Sequence, residues 1–166
     1  MKNSGLAATP AVLLPQPCPV ITVRNDFCAA HDIKKIVVPI DSSIDSRQKV
    51  PFTCDLAEAT GAEIHLLITA NSASEKKIAK NYAKQTLKYI EERGLKTVVV
   101  ETQKKPSDVI SYAQKVNADL ISIMTEQEVS TISLLLGASA EQVVTHSPIP
   151  VLSVHPRELY NIKAGL

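Results

Sequence analysis

Leu134–Val154 reads LLLGASAEQVVTHSPIPVLSV, and its interpretation decides the fold. Gly137 stands before a helix whose core is Ala140-Glu141-Gln142-Val143-Val144, and the helical pattern runs over 134–146. Pro148 and Pro150 then bracket the start of a short aliphatic strand, Val151–Val154. Working back towards the amino terminus, the same helix-then-strand alternation repeats. Strands are predicted over 34–40 (KKIVVPI), 63–69 (EIHLLIT), 96–102 (KTVVVET) and 119–124 (DLISIM). Between them lie a helix from Ser46 to about Thr60 stopped by Gly61, and a long helix opened by the capping box Ser72/Glu75 and ended by Gly94. The long helix is expected to turn Ile78, Tyr82, Leu87 and Ile90 inward. A third helix opens at Pro106-Ser107 and buries Val109, Ile110, Ala113 and Val116. Strands separated by helices imply βαβ crossovers and a parallel sheet, so the fold class is α/β.

The first 33 residues stand outside this series. They carry an echo of its end: Pro17-Cys18-Pro19-Val20-Ile21-Thr22-Val23 matches Pro148-Ile149-Pro150-Val151-Leu152-Ser153-Val154 in residue type at each position. The sequence therefore divides into an extension over 1–33 with one strand, an α/β domain over 34–155 and a tail over 156–166.

Composition narrows the function. With 18 basic against 17 acidic residues, 4% aromatics and no Trp, the chain has neither the basic field nor the stacking surface of a nucleic-acid binder. Cys18, Cys28 and Cys54 lack metal-ligand spacing, and no CxxC occurs. The apolar run Leu6–Leu14 is broken by Pro10, and nothing approaches membrane-spanning length, so a cytoplasmic, membrane-free protein is expected.

KKIVVPIDSS, the Pro106-x-x-x-Ile110 helix start, ADLISIM and above all residues 134–154 give the segment 34–154 a close resemblance to the universal stress protein family. The resemblance implies a Rossmann-like, adenine-nucleotide-alpha-hydrolase-like three-layer fold with a five-stranded parallel sheet ordered 3-2-1-4-5 and pairing between copies through the fifth strand, and some family members carry two such domains in tandem. By the same resemblance, the strand Val20, Ile21, Thr22, Val23 looks like the last strand of a preceding domain. It is expected to add a sixth, antiparallel edge strand beside Val151, Leu152, Ser153 and Val154 and to support a homodimer or higher homo-oligomer. In that strand order a ligand crevice lies at the carboxyl ends of strands one and four, here Asp41 and Met124.

ATP-binding members of the family carry G-x2-G-x9-G-S/T after strand four. In this chain Met124, Gln127, Gly137 and Ala138 occupy those four positions, so a single glycine remains. A Cβ at Met124 and Gln127 disfavours positive φ and obstructs a phosphate's approach. Glu126 and Glu128 add repulsion of about 1 kcal/mol per close pair even in water. The resemblance thus implies a vestigial ATP site made of Pro39, Asp41, Thr69, Met124, Gln127, Gly137, Ala138 and Ser139, with no cofactor expected and ATP as the alternative. Asp41-Ser42-Ser43 reads as an Asx-type turn leaving strand one, or as a retained adenine slot.

Other chemistries fail on residue type. D-S-S-I-D-S at 41–46 lacks the glycines of a pyrophosphatase loop, and a phosphate-receiver domain would need an Asp ending strand three and a Lys ending strand five. His31, His65, His146 and His155 are scattered and read as structural, Cys54 as packed, and Lys76, Lys77, Lys80, Lys84 and Lys88 as a solvated helix face. The expected function is a non-catalytic stress-response module acting by association. The alternative is an adenine-nucleotide binder or weak ATPase using the strand-one/strand-four crevice.

Overall fold

A computed structural model of the chain describes residues 18–24, 32–102, 106–125 and 138–155. The elements are β1 (Val20–Thr22), β2 (Lys35–Ile40), α1 (Val50–Thr60), β3 (Glu63–Thr69), α2 (Ala73–Glu92), β4 (Thr97–Thr102), α3 (Pro106–Lys115), β5 (Leu120–Met124), α4 (Ala138–His146) and β6 (Val151–Val154). All six strands form one sheet in the order β1-β6-β5-β2-β3-β4. Counted from β2, the parallel strands stand 3-2-1-4-5, and β1 runs antiparallel on the outer side of β6.

Strand alternation divides the core into two halves. Ile36, Val38, Ile40, Ile64, Leu66 and Ile68 face α1 and α2, while Val37, Leu67, Ile121 and Val151 face α3 and α4. Because both faces are covered, β3 carries the near-continuous apolar run typical of a central parallel strand. Each fully buried Ile or Leu contributes about 1.5–3 kcal/mol relative to exposure.

Local signals explain most boundaries. Ser72 caps α2, its Oγ accepting from Glu75 N–H at 3.2 Å. The return bond of the box reaches one residue further back, from Asn71 N–H to Glu75 Oε2 at 2.9 Å. Gly61 closes α1 at φ 70°, a conformation a Cβ would strain.

The structure corrects several expectations. Ser46 does not cap α1. It lies in a 3-10 turn, Asp45–Arg47, and the helix begins at Val50 with Pro51 in its first turn. Ile78 is largely exposed, because α2 turns inward the small stripe Ala79, Ala83, Thr86 with Ile90, which lets its backbone lie close to β3. Tyr82 and Leu87 are half-buried at the margin of that stripe, and Ile110 and Val116 sit likewise beside the buried Val109 and Ala113 of α3. The lysine face of α2 is not simply solvated. Lys76 and Lys80 both reach Glu101 on the edge strand β4 at 2.6 Å, and first Lys76, then Lys80, holds that carboxyl below its ordinary range. The predicted helical residues before Ala138 lie outside the described residues.

Two polar ties set the register of the layers. Asp119 Oδ2 accepts from both Lys34 N–H and Lys35 N–H at 2.9 Å, pinning the start of β5 to the start of β2. Buried His65 on β3 joins Tyr112 Oη of α3 at 2.8 Å and Glu63 Oε2 at 3.2 Å, which ties the sheet to α3.

Candidate functional site

The candidate site lies where β2 and β5 part. The two strands pair at Ile36↔Leu120 and Val37↔Ile121 and no further, whereas β2 stays paired with β3 through Ile40↔Ile68. Pro39 sits in β2 just past the last β2–β5 pair. A proline cannot donate to a ladder and is unusual in a central strand, so its place here marks the point at which the sheet opens. The opening falls at the topological switch of the parallel order, where ligands bind in folds of this kind.

Asp41 follows β2 directly. Its Oδ1 accepts from Ser43 N–H at 2.8 Å and from Ser43 Oγ–H at 2.6 Å, the Asx-type turn that the sequence allows. Thr69, at the end of β3, is buried and turns its hydroxyl back to Ile40 O at 3.4 Å. Pro39, Asp41 and Thr69 are thus brought to one end of the β2–β3 pair. Met124 ends β5 on the other side of the opening. It is half-buried, opposite Val154, and packs into the core on the α1/α2 face. Among the described residues only Asn117 is a non-glycine with positive φ, so Met124 keeps ordinary strand geometry at the position expected to need a glycine. Gln127 and Gly137 lie outside the described residues. Ala138 and Ser139 open α4, and only their backbone is described.

Beneath Asp41 the structure assembles a buried polar cluster that sequence reasoning missed. Ser46 Oγ–H bonds Ser43 O at 2.9 Å. Lys49, 2% exposed, donates from Nζ to Ser46 O. Thr53 Oγ–H donates to Lys49 O at 2.9 Å and lies 2.7 Å from Ser122 Oγ of β5, which therefore donates to it. Burial lowers the Lys49 ammonium to about 7, and the Asp41 charge offsets only part of that shift. One signal was present: Lys49, Thr53 and Ala57 share the i, i+4, i+8 stripe that buries α1. A second missed pair closes the far end of β5, where Thr125 Oγ1 lies 2.9 Å from His155 Nδ1. No group of three or more potential metal ligands occurs among the described residues, and no helix there is long and apolar enough to cross a membrane.

A doubly wound parallel sheet that opens at its switch point, with Asp41 directly after β2, defines a Rossmann-like α/β domain with a candidate ligand crevice. Within that class the universal stress protein family model matches residues 32–155, and the chain belongs to that family. A universal stress protein of Methanocaldococcus jannaschii is 27% identical over 138 residues, covering 73% of this chain and 81% of that protein. A solved universal stress protein of Archaeoglobus fulgidus superposes with a TM-score of 0.72 at 20% identity. It covers 90% of this chain, which spans only 54% of that longer one. A universal stress protein solved in complex with cAMP has a TM-score of 0.63 at 21% identity, covering 76% of this chain and 100% of that one. At these identities the two structures show the shared fold.

Proposed function

We propose that the chain is a non-catalytic, cytoplasmic stress-response module that works by association, with a crevice that no longer holds a nucleoside triphosphate. Association runs through the β6/β1 side of the sheet, Val151, Leu152, Ser153 and Val154 with Val20, Ile21, Thr22 and Val23. The observation that carries the reading is the state of the crevice side chains. Asp41 accepts from its own turn, the Thr69 hydroxyl is spent on Ile40 O, and Met124 packs into the core where bare backbone would be needed. Family membership supports the stress-response role.

A second reading is favoured by a specific observation: a structural neighbour holds cAMP. An adenine nucleotide with one phosphate has no need of a triphosphate cradle and could use the Asp41–Thr69 end of the crevice alone. Calorimetric titration separates the readings. The first expects no heat with millimolar ATP and Mg²⁺, nor with AMP or cAMP. Heat with AMP or cAMP alone selects the second. Micromolar affinity for ATP, about −8 kcal/mol, would reject the first.

A further inference from the structure

β4 ends the sheet on the side away from β1, and among the described residues no strand pairs with its outer edge. Ile64 N–H donates to Lys96 O at 2.9 Å and Ala70 N–H to Thr102 O at 3.4 Å. The two-residue alternation of a parallel ladder then directs the N–H and C=O of Val98 and Val100 to β3, and those of Thr97, Val99 and Glu101 outward. The register runs without a bulge from Ile64↔Thr97 to Thr69↔Thr102, and β4 contains no proline. Its Val98 and Val99 are 37% and 43% exposed. A straight, β-branched edge with bare backbone groups is a template for another strand.

The helix above this edge is charged on one flank. Val99 stands beside Leu66 and Glu101 beside Ile68, so both side chains lie on the α2 face; Val98, beside His65, lies on the α3 face. Lys76 and Lys80 both reach Glu101 at 2.6 Å, so two ammonium groups share one carboxyl and a positive charge is left over at the rim. Lys84 continues the same i, i+4 row and Lys77 stands beside it, both exposed and without an ion pair among the described residues. The other flank of α2 is taken up by α1 and the turn before it. There Arg47 lies 4.1 Å over the Tyr82 ring, and Arg93, beside Tyr89, reaches Asp55 and Glu58. The lysine flank therefore overlooks the open edge.

We infer that the outer edge of β4 is a docking strip for an extended segment of another protein, acidic at alternate positions and apolar between them, which joins the sheet as a further strand. The outward N–H and C=O groups supply the ladder, as in peptide recognition by strand addition. Side chains of the added strand alternate as those of β4 do. One set falls beneath Lys76, Lys80 and Lys84 and is acidic; the other lies beside Val98 and is apolar. A second copy of this chain fits poorly. Two β4 strands paired antiparallel about a two-fold axis would set both α2 helices on one face of the joined sheet, lysine flank against lysine flank. The strip lies at the opposite edge from the association surface proposed above and does not depend on it.

The test titrates the isotope-labelled full chain with three short, end-capped peptides. One alternates glutamate with valine, one has the same composition with glutamates and valines grouped apart, and one alternates lysine with valine. The first should shift the backbone amide signals of Thr97, Val99 and Glu101 and slow their exchange with solvent, while the other two leave them unmoved. Lys77→Glu together with Lys84→Glu should weaken the first peptide about tenfold by reversing charge at the rim, and added salt should act in the same direction. Val99→Pro removes an outward N–H, leaves the β3 ladder its donors and should abolish binding. Both lysines are exposed, so the lysine variant keeps its fold and decides the matter even if the proline variant does not fold. Four results would overturn the inference: no shift at these amides, an equal response to either control peptide, unchanged affinity in the lysine variant, or the same amides shifting with protein concentration alone, which would assign the edge to a second copy.

Discussion

Replacing Lys49 by Met should change the pH dependence of stability in a defined window. In the unfolded chain a lysine titrates near 10.4, whereas burial lowers Lys49 to about 7 in the folded protein. Below pH 7 both states carry the proton, and this group contributes no slope. Between about pH 7 and 10 the unfolded chain holds a proton that the folded chain lacks, so stability rises with pH by about 1.4 kcal/mol per unit. From pH 7 to 9 the wild-type gain from this group is about 2.5 kcal/mol, and in Lys49→Met it vanishes. The variant should therefore have its largest advantage near pH 7, with the gap closing as pH rises. Urea unfolding followed by circular dichroism suits a chain without tryptophan, run at half-unit steps from pH 6.5 to 9. Two stability–pH curves that stay parallel across that window would refute the reasoning, because a buried lysine that keeps its proton to pH 9 gives no such divergence.

Two further outcomes follow from the Asp119 tie and the buried Cys54 thiol. Asp119→Ala removes the acceptor of two backbone N–H groups and should cost about 1–3 kcal/mol in urea unfolding, while Asp119→Asn, which keeps an oxygen, should cost less. Cys54 is buried and its thiol is pushed up to about 11, first by burial, so with Cys18→Ser and Cys28→Ser the native chain should leave a thiol reagent unreacted at neutral pH until denaturant is added. Labelling of the native protein would refute this.

Much of the fold was legible because strands and helices impose different periods on apolar residues. Glu63–Thr69 and Val151–Val154 appear in the structure with the boundaries read from sequence, and Ser72 caps α2 as its spacing with Glu75 requires. The start of α1 was not legible, because Ser46 suits a cap chemically and the choice of a 3-10 turn depends on Ser43 O and Asp41 above it. Nor was Ile78, since rank by hydrophobicity ignores that alanines allow closer helix–sheet approach. At the site, Asp41 and Met124 were singled out only through the strand order and loop motif that the family resemblance implies. Of the cluster beneath Asp41 only the helical stripe Lys49, Thr53 and Ala57 was legible, because Thr53 and Ser122 are 69 positions apart and meet only when α1 lies on β5.

The sequence by itself determined the alternation of elements, the strand–helix punctuation and the resemblance that named the family, because these depend on neighbours within a few residues. Only the tertiary structure decided which lysine loses its solvent, where β2 and β5 separate, and which lysines of α2 stand over β4. Those are settled by groups far apart in the chain competing for the same few ångströms of space and the same backbone partners.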